Sequence, residues 1–368
     1  MINYDEFLNK KLVDVKPSGI RKFFAIAEEM DNVISLGVGE PDFLTPWHIR
    51  QTGIDYLEQG LTRYTANAGL AELRNEISNF YARNYLVKYD PKSEVLVTVG
   101  GSEGIDMAIR SIIQEGDEVL IIEPSFVCYK PIVEVTGGVA VPVPTYEKND
   151  FKVTPEDIEK AVTDKTKAIV LPYPNNPTGA ILSVNELEAL ADVIIKYNLF
   201  VISDEIYAAL TYTPEGHTTI ATIDGMQERT IIINGFSKTY SMTGWRLGYA
   251  LGPAPIIKQM TKLHQFAIMS APTNSQYAAI DALQNGDFDI MKMRDDYDMR
   301  RRFTVDGFRK IGLDCFEPMG AFYAFPCIKS TGLSSEEFAE KLIKSKRVAV
   351  VPGDAFGESG EGYIRVSY

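Results

Sequence analysis

Residues 168–207 read AIVLPYPNNPTGAILSVNELEALADVIIKYNLFVISDEIY. The stretch begins and ends on short apolar runs, 168–171 and 200–203. Both are rich in β-branched residues and neither alternates with polar ones, the pattern of strands buried on both faces. Between them, Ser183-Val184-Asn185-Glu186 is a capping box. Its hydroxyl and carboxylate satisfy the first free N–H groups of a helix expected over 187–197. Strand, helix, strand is the repeating unit of a parallel sheet covered by helices.

The same pattern continues in both directions. Further apolar runs occupy 95–99, 119–122, 231–233 and 247–251. Thr154-Pro155-Glu156-Asp157 puts a proline at a first helical position, where its missing N–H is harmless. An α/β fold with a large, mostly parallel sheet is expected. The C-terminal part reads differently. A long charged helix over 288–311 stops at Gly312. Then come a strand-like segment at 320–326, a helix opened by Ser334-Ser335-Glu336-Glu337, and runs at 348–351 and 363–366. The expected division is a large domain over 46–284 and a smaller α+β domain over 285–368. Residues 1–45 are expected to join the small domain or clasp a partner. No internal repeat or low-complexity segment occurs.

Composition bounds the function. The 368 residues are 45 % apolar and 24 % charged, enough chain to bury a large core without staples. Aromatic residues at 11 % exclude disorder as the main reading. A net charge of −13 argues against nucleic acid as a partner. The triplet Arg300-Arg301-Arg302 is flanked by Asp295, Asp296, Asp298 and Asp306, so it makes no basic footprint. Cys128, Cys315 and Cys327 stand too far apart to suggest a disulfide framework or a thiolate metal site. His48, His217 and His264 show no metal-ligand spacing. The N-terminus lacks an apolar signal core, and no run of about 18 apolar residues could span a membrane. A cytoplasmic protein with no bound metal is expected.

In such sheets, ligands bind beyond the carboxyl ends of the strands. After 95–99 comes Gly100-Gly101-Ser102-Glu103-Gly104 and then a helix over 105–113. Bare backbone N–H groups at a helix start suit a phosphate, although a plain turn has the same composition. After 168–171, prolines stiffen Tyr173-Pro174-Asn175-Asn176-Pro177-Thr178-Gly179, and Asn176 offers an amide. After 200–203 comes Asp204-Glu205-Ile206-Tyr207. A carboxylate there is either a helix N-cap or a group awaiting a cation. After 231–233 comes Asn234-Gly235-Phe236-Ser237-Lys238, with Arg246 just before the next run. The lysine is an amine nucleophile or a plain surface lysine, and an arginine grips phosphate through its planar fork. Leu36-Gly37-Val38-Gly39-Glu40-Pro41-Asp42 mimics the start of a dinucleotide fingerprint but lacks its third glycine, so a nicotinamide reading fails. Cys128 reads as a small buried hydrophobe, and Met242, Met260 and Met269 as filler. A phosphate cradle, an amide, a carboxylate with a phenol, a lysine and an arginine on one sheet edge fit pyridoxal 5′-phosphate (PLP). That cofactor needs a lysine for a Schiff base and an acid beside its ring nitrogen.

Over nearly its whole length the sequence resembles the class I/II aminotransferases of PLP fold type I. The matching motifs are Gly39-Glu40-Pro41-Asp42-Phe43, Tyr64 with Ala68-Gly69-Leu70-Ala71-Glu72-Leu73-Arg74, and Asn176-Pro177-Thr178-Gly179. They continue with Asp204-Glu205-Ile206-Tyr207, Ser237-Lys238, Gly244-Trp245-Arg246-Leu247-Gly248-Tyr249, Gly320-Ala321-Phe322-Tyr323 and Ile364-Arg365-Val366-Ser367-Tyr368. Their order and separation match too. The bacterial aromatic and N-acetyl-diaminopimelate aminotransferases are the most similar in flavour.

The resemblance implies an aminotransferase that moves the amino group of an L-amino acid to a 2-oxo acid through a PLP Schiff base on Lys238. Asp204 would pair with the ring nitrogen, and Tyr207 and Asn176 with the phenolic oxygen. Gly101, Ser102, Glu103, Ser237 and Arg246 belong to the phosphate region. Phe126 would stack on the ring, and Tyr64 would reach the phosphate of a neighbouring subunit, implying a homodimer with shared sites. Arg365 would clamp the substrate carboxylate, helped by Asn176 and the backbone of Gly39. Arg21 reads either as a group reaching a distal carboxylate or as a surface residue.

Two departures stand out. The sequence given stops at Tyr368, where family members usually continue into another helix, so the small domain is expected to be short by that element. Glu103 stands near the place where some aspartate-specific relatives carry a basic residue, which lowers aspartate as the expected donor. Phe126, Tyr207 and Tyr323 suit an aromatic or aliphatic donor side chain, but they also serve the cofactor, so the residues leave the donor open. The alternative enzyme is a PLP-dependent carbon–sulfur β-lyase of the same fold, because the same residues serve both. A ligand sensor fused to a DNA-binding head is a weaker third reading, since family motifs begin by Gly39.

Overall fold

The computed structural model describes residues 2–15, 30 and 32–368. In chain order its strands are β1 (Ile34–Ser35), β2 (Val95–Thr98), β3 (Glu118–Glu123), β4 (Val139–Pro144), β5 (Thr166–Leu171), β6 (Phe200–Asp204), β7 (Thr230–Gly235), β8 (Gly248–Leu251), β9 (Tyr323–Ala324), β10 (Val348–Ala349), β11 (Val351–Pro352) and β12 (Ile364–Ser367). The α-helices are α1 (Lys10–Val13), α2 (Trp47–Glu58), α3 (Ala71–Tyr85), α4 (Gly100–Ile112), α5 (Tyr129–Thr136), α6 (Pro155–Ala161), α7 (Val184–Lys196), α8 (Phe236–Thr239), α9 (Ala254–Ala267), α10 (Thr273–Asn285), α11 (Asp287–Lys310) and α12 (Ser335–Lys346).

Seven strands form the main sheet in the order β2-β8-β7-β6-β5-β3-β4. The pairs β3·β4, β3·β5, β5·β6 and β6·β7 are parallel. Only β8 runs against its neighbours β7 and β2. Reversing twice brings β2 back into line with β7, so β2, β3, β5, β6 and β7 all end on one edge. The α/β reading, with a mostly parallel sheet between helices, is what the chain adopts.

The apolar runs are buried because both faces are covered. On one face Leu120, Ile122, Ile169 and Val201 cluster with Leu187, Leu190 and Ile194 of α7. On the other, Leu96, Val119, Val170, Ile202 and Ile233 cluster with Ile105, Ala108 and Ile109 of α4. Each such side chain contributes about 1.5–3 kcal/mol by leaving water. Capping boxes close the starts of α6, α7 and α12 at Thr154, Ser183 and Ser334. α11 lies within one residue of its expected span.

Strand β4 has no counterpart in the sequence reading. Its composition, VAVPVP, contains Pro142 and Pro144, which a central strand would reject; β4 lies at the sheet's edge, where proline is tolerated. The segment at 320–326 gives only the two residues of β9, since Ala321 turns left-handed at φ 58°. The run at 348–351 divides between two partners. β10 pairs with β1, whereas β11 joins β12 and β9 in an antiparallel sheet. Ser367 N–H donates to Leu36 O at 2.7 Å, tying the first described strand to the last. No described helix is long and apolar enough to cross a membrane.

Candidate active site

Most of the candidate residues meet at the shared strand edge. A cavity of about 310 Å³ opens there. Strand β6 ends on Asp204, and the turn after β7 carries Ser237 and Lys238 on α8. The loop after β5 delivers Asn176, the segment after β3 delivers Phe126, and Gly101 and Ser102 follow β2. Arg246 stands just before β8, which enters the sheet at this edge. Gly39, Tyr207 and Arg365 complete the expected lining.

Asp204 is buried and accepts two hydrogen bonds, from Tyr129 O–H at 2.7 Å and from Ile206 N–H at 3.2 Å. Burial pushes its carboxyl up to about 6; the two bonds oppose that rise and the nearby Glu205 adds to it. Lys238 donates from Nζ to Gly39 O at 2.5 Å, with the Phe322 ring 5.7 Å away. Burial brings its amine down to about 8; Glu40 opposes the shift, and Arg365 and Arg246 reinforce it. Both groups are thus pushed toward their neutral forms, as expected where charges leave water without a full set of partners.

Arg365 is buried between the rings of Tyr323 and Phe356, at 4.5 and 4.8 Å from its guanidinium carbon. Nη1 donates to Asn176 Oδ1 at 2.8 Å and Nη2 to Gly37 O at 2.6 Å, while Nε has no partner among the described residues. Asn176 spends its oxygen on Arg365, so its amide N–H groups are left for the cavity. The Tyr207 and Tyr323 hydroxyls lie 2.7 Å apart. Arg246 donates to Thr243 O at 3.0 Å, and its fork presses on the glycine turn. A Cβ at Gly100 (φ 76°) would sit 2.6 Å from Arg246 Nη2. Side-chain-free backbone there leaves a cradle that a phosphate can fill.

Two expected site residues do not meet the others. Glu103 points away from the cavity, toward Val99 N–H and His264. Tyr64 is 82 % exposed and does not line the cavity. Arg21 lies outside the described residues. Tyr129, which holds Asp204, was not singled out from the sequence. No motif marks it; only its place shortly after Phe126, in the segment that follows β3 to the same sheet edge, hints at it. The Cys128 thiol is pushed well up, by burial first and then by Asp204, as suits an inert hydrophobe.

An α/β sheet with a half-buried lysine, a buried carboxylate and two guanidinium groups around one cavity suits a group-transfer enzyme. The model for aminotransferase class I and II matches residues 31–368. A putative aminotransferase, YugH, of Bacillus subtilis is 52 % identical over 98 % of this chain and 94 % of that protein. An aspartate aminotransferase of Pyrococcus abyssi is 46 % identical over 98 % of this chain and 93 % of its own. The crystal structure of an aromatic aminotransferase from Pyrococcus horikoshii superimposes with a TM-score of 0.90 at 44 % identity, covering 95 % of this chain and 93 % of that one. The chain belongs to the class I and II aminotransferase family and is an aminotransferase. Members of this family depend on PLP and act on amino acids and 2-oxo acids. The comparisons give the β-lyase alternative no support.

Proposed function

We propose that this chain holds PLP in the cavity at the strand edge, attached through Lys238, and moves an amino group from an L-amino acid to a 2-oxo acid. The observation that carries the reading is the meeting of Lys238, Asp204, Arg246 and Arg365 around one cavity at the strand edge, where burial brings the amine down to about 8 and pushes the carboxyl up to about 6. The residues present fit the cofactor. Gly101, Ser102, Ser237 and Arg246 would hold its phosphate, Phe126 would lie against its ring, and Asp204 would face its ring nitrogen. Tyr207 and Asn176 would donate to its phenolic oxygen. Bound there, the cofactor supplies a sink for the electron pair left on the substrate's α-carbon.

The chain's own groups do the rest. Arg365, oriented by Asn176 and Gly37 and flanked by two rings, binds the substrate carboxylate in a fork that a lysine could not copy. Lys238, with an amine basic near neutrality, takes and returns the proton at the α-carbon. Gly39 O accepts its N–H and keeps Nζ within the cavity. The lining guanidinium groups, Arg246 and Arg365, are both committed to anions of the cofactor and the backbone carboxylate. No other guanidinium lines the cavity among the described residues, which supports an aromatic or aliphatic donor side chain. The name of the P. abyssi relative makes L-aspartate the donor to run beside it.

A homodimer completes this reading. Leu44, Trp47, Tyr64 and Phe266 are exposed apolar or aromatic groups, and a second copy would cover them and bring Tyr64 to the neighbouring phosphate. The acidic balance and three free cysteines support a cytoplasmic setting. The test is an absorbance scan of the purified chain with PLP. A visible band from lysine-bound cofactor should form, bleach with L-phenylalanine more readily than with L-aspartate, return with a 2-oxo acid, and be absent in Lys238→Ala. Bleaching by no amino acid in a full panel would overturn the aminotransferase site; faster bleaching by L-aspartate would overturn the donor assignment.

A further inference from the structure

We infer that Glu103 and His264 form a buried positioning pair that keeps the phosphate cradle in shape. The inference rests on the cofactor reading above. Neither residue lines the cavity. Glu103 stands in the first turn of α4 and spends both carboxylate oxygens inward. Oε2 accepts Val99 N–H at 2.5 Å, and Oε1 lies 2.9 Å from Nδ1 of His264 on α9. The His264 side chain is fully buried and that of Glu103 is 10 % exposed. An ionised carboxylate can only accept, so this contact puts a proton on Nδ1 of His264. Its Nε2 meets no polar partner among the described residues.

A carboxylate beside an anion site repels the ligand that the site is built for. Its place there makes sense as a fixture of the backbone and not as a ligand. Val99 is where the chain leaves β2, and Gly100 then turns left-handed at φ 76°. Glycines hold no shape of their own. Three contacts define this turn. Arg246 presses on Gly100, Gly248 of β8 sits under it closely enough that a Cβ would fall 2.6 Å from Gly100 C, and Glu103 ties Val99 from within the helix. His264 in turn fixes the carboxylate to α9. Remove the pair and the helix start is free to fray away from Arg246, so the N–H groups of the cradle no longer converge on one anion.

The selective consequence is a loss of grip on phosphate with no loss of grip on the ring. The full chain, stripped of cofactor, is titrated with PLP and with pyridoxal, which has the same ring and aldehyde but no phosphate. Glu103→Ala should weaken PLP binding about tenfold or more while pyridoxal binding stays within about twofold. Glu103→Gln still accepts from Val99 and should stay within about threefold of wild type for both. His264→Leu should weaken PLP about threefold or more, again without moving pyridoxal. Equal weakening of both ligands, or undiminished phosphate preference in Glu103→Ala, overturns the inference. Should Glu103→Ala fail to fold, His264→Leu decides: full phosphate preference in that variant overturns it. A wild-type chain that binds neither ligand would refute the cofactor reading itself, a separate result.

Discussion

At the scale of single residues the proposed chemistry rests on Lys238 and Asp204, and burial acts on them in opposite senses. The amine is brought down to about 8 and the carboxyl up to about 6. Between those values most Asp204 is ionised and a growing share of Lys238 is neutral, the form that attacks an aldehyde. The rate at which the cofactor-free chain captures PLP should therefore climb as pH rises, up to about tenfold per unit below the lysine midpoint, and level off above about 8. Stopped-flow absorbance reads it, and a profile flat from pH 6.5 to 9 would contradict the assignment. Tyr129 tunes the acid side. Its O–H stabilises the ionised carboxylate, so Tyr129→Phe should raise the Asp204 pKa while the lysine midpoint of the profile stays unmoved.

Among elements, the contact between α2, α10 and α11 turns on His48. Its Nδ1 lies 2.5 Å from Asp281 of α10 and its Nε2 3.0 Å from Asp289 of α11. Burial works against the charged ring, but hydrogen bonds and the field of the two carboxylates outweigh it and raise its pKa above 6.5. Asn285 also donates to Asp281, at 2.7 Å. A pKa raised on folding gives stability that is complete below the unfolded value and fades as pH climbs past the folded one. His48→Asn should therefore lower the melting temperature most near pH 6 and hardly at all near pH 9; an equal loss at both would mean that the histidine acts through shape alone. Elements of this size were mostly legible in the sequence. The β-branched runs at 168–171 and 200–203 marked β5 and β6, the capping box at Ser183 marked the start of α7, Pro155 that of α6, and Ser334-Ser335-Glu336-Glu337 that of α12. β4 was hidden by the prolines that its edge position allows. α4 begins at Gly100 and not at 105, because the carboxylate that stabilises its start comes from Glu103 inside the helix. No local pattern announces that.

Across the whole molecule, the site exists because distant segments converge on one sheet edge. Arg365 of β12 reaches Gly37, near the start of the chain, and Asn176 in the middle of it. Residues on the strand-end loops could be read one by one, since each follows an apolar run. Tyr129 and the rings around Arg365 could not, because their roles arise only from packing between segments far apart in sequence. Arg246 and Lys238 were legible as types, but the depressed amine of Lys238 is a property of burial that sequence spacing does not carry. The central claim is that one lysine holds the cofactor. Borohydride reduction of the chain saturated with PLP, followed by peptide mass mapping, tests it most directly. A single reduced pyridoxyl adduct on Lys238, lost in Lys238→Ala, is the predicted result; an adduct on another lysine, with residue 238 unmodified, would contradict it.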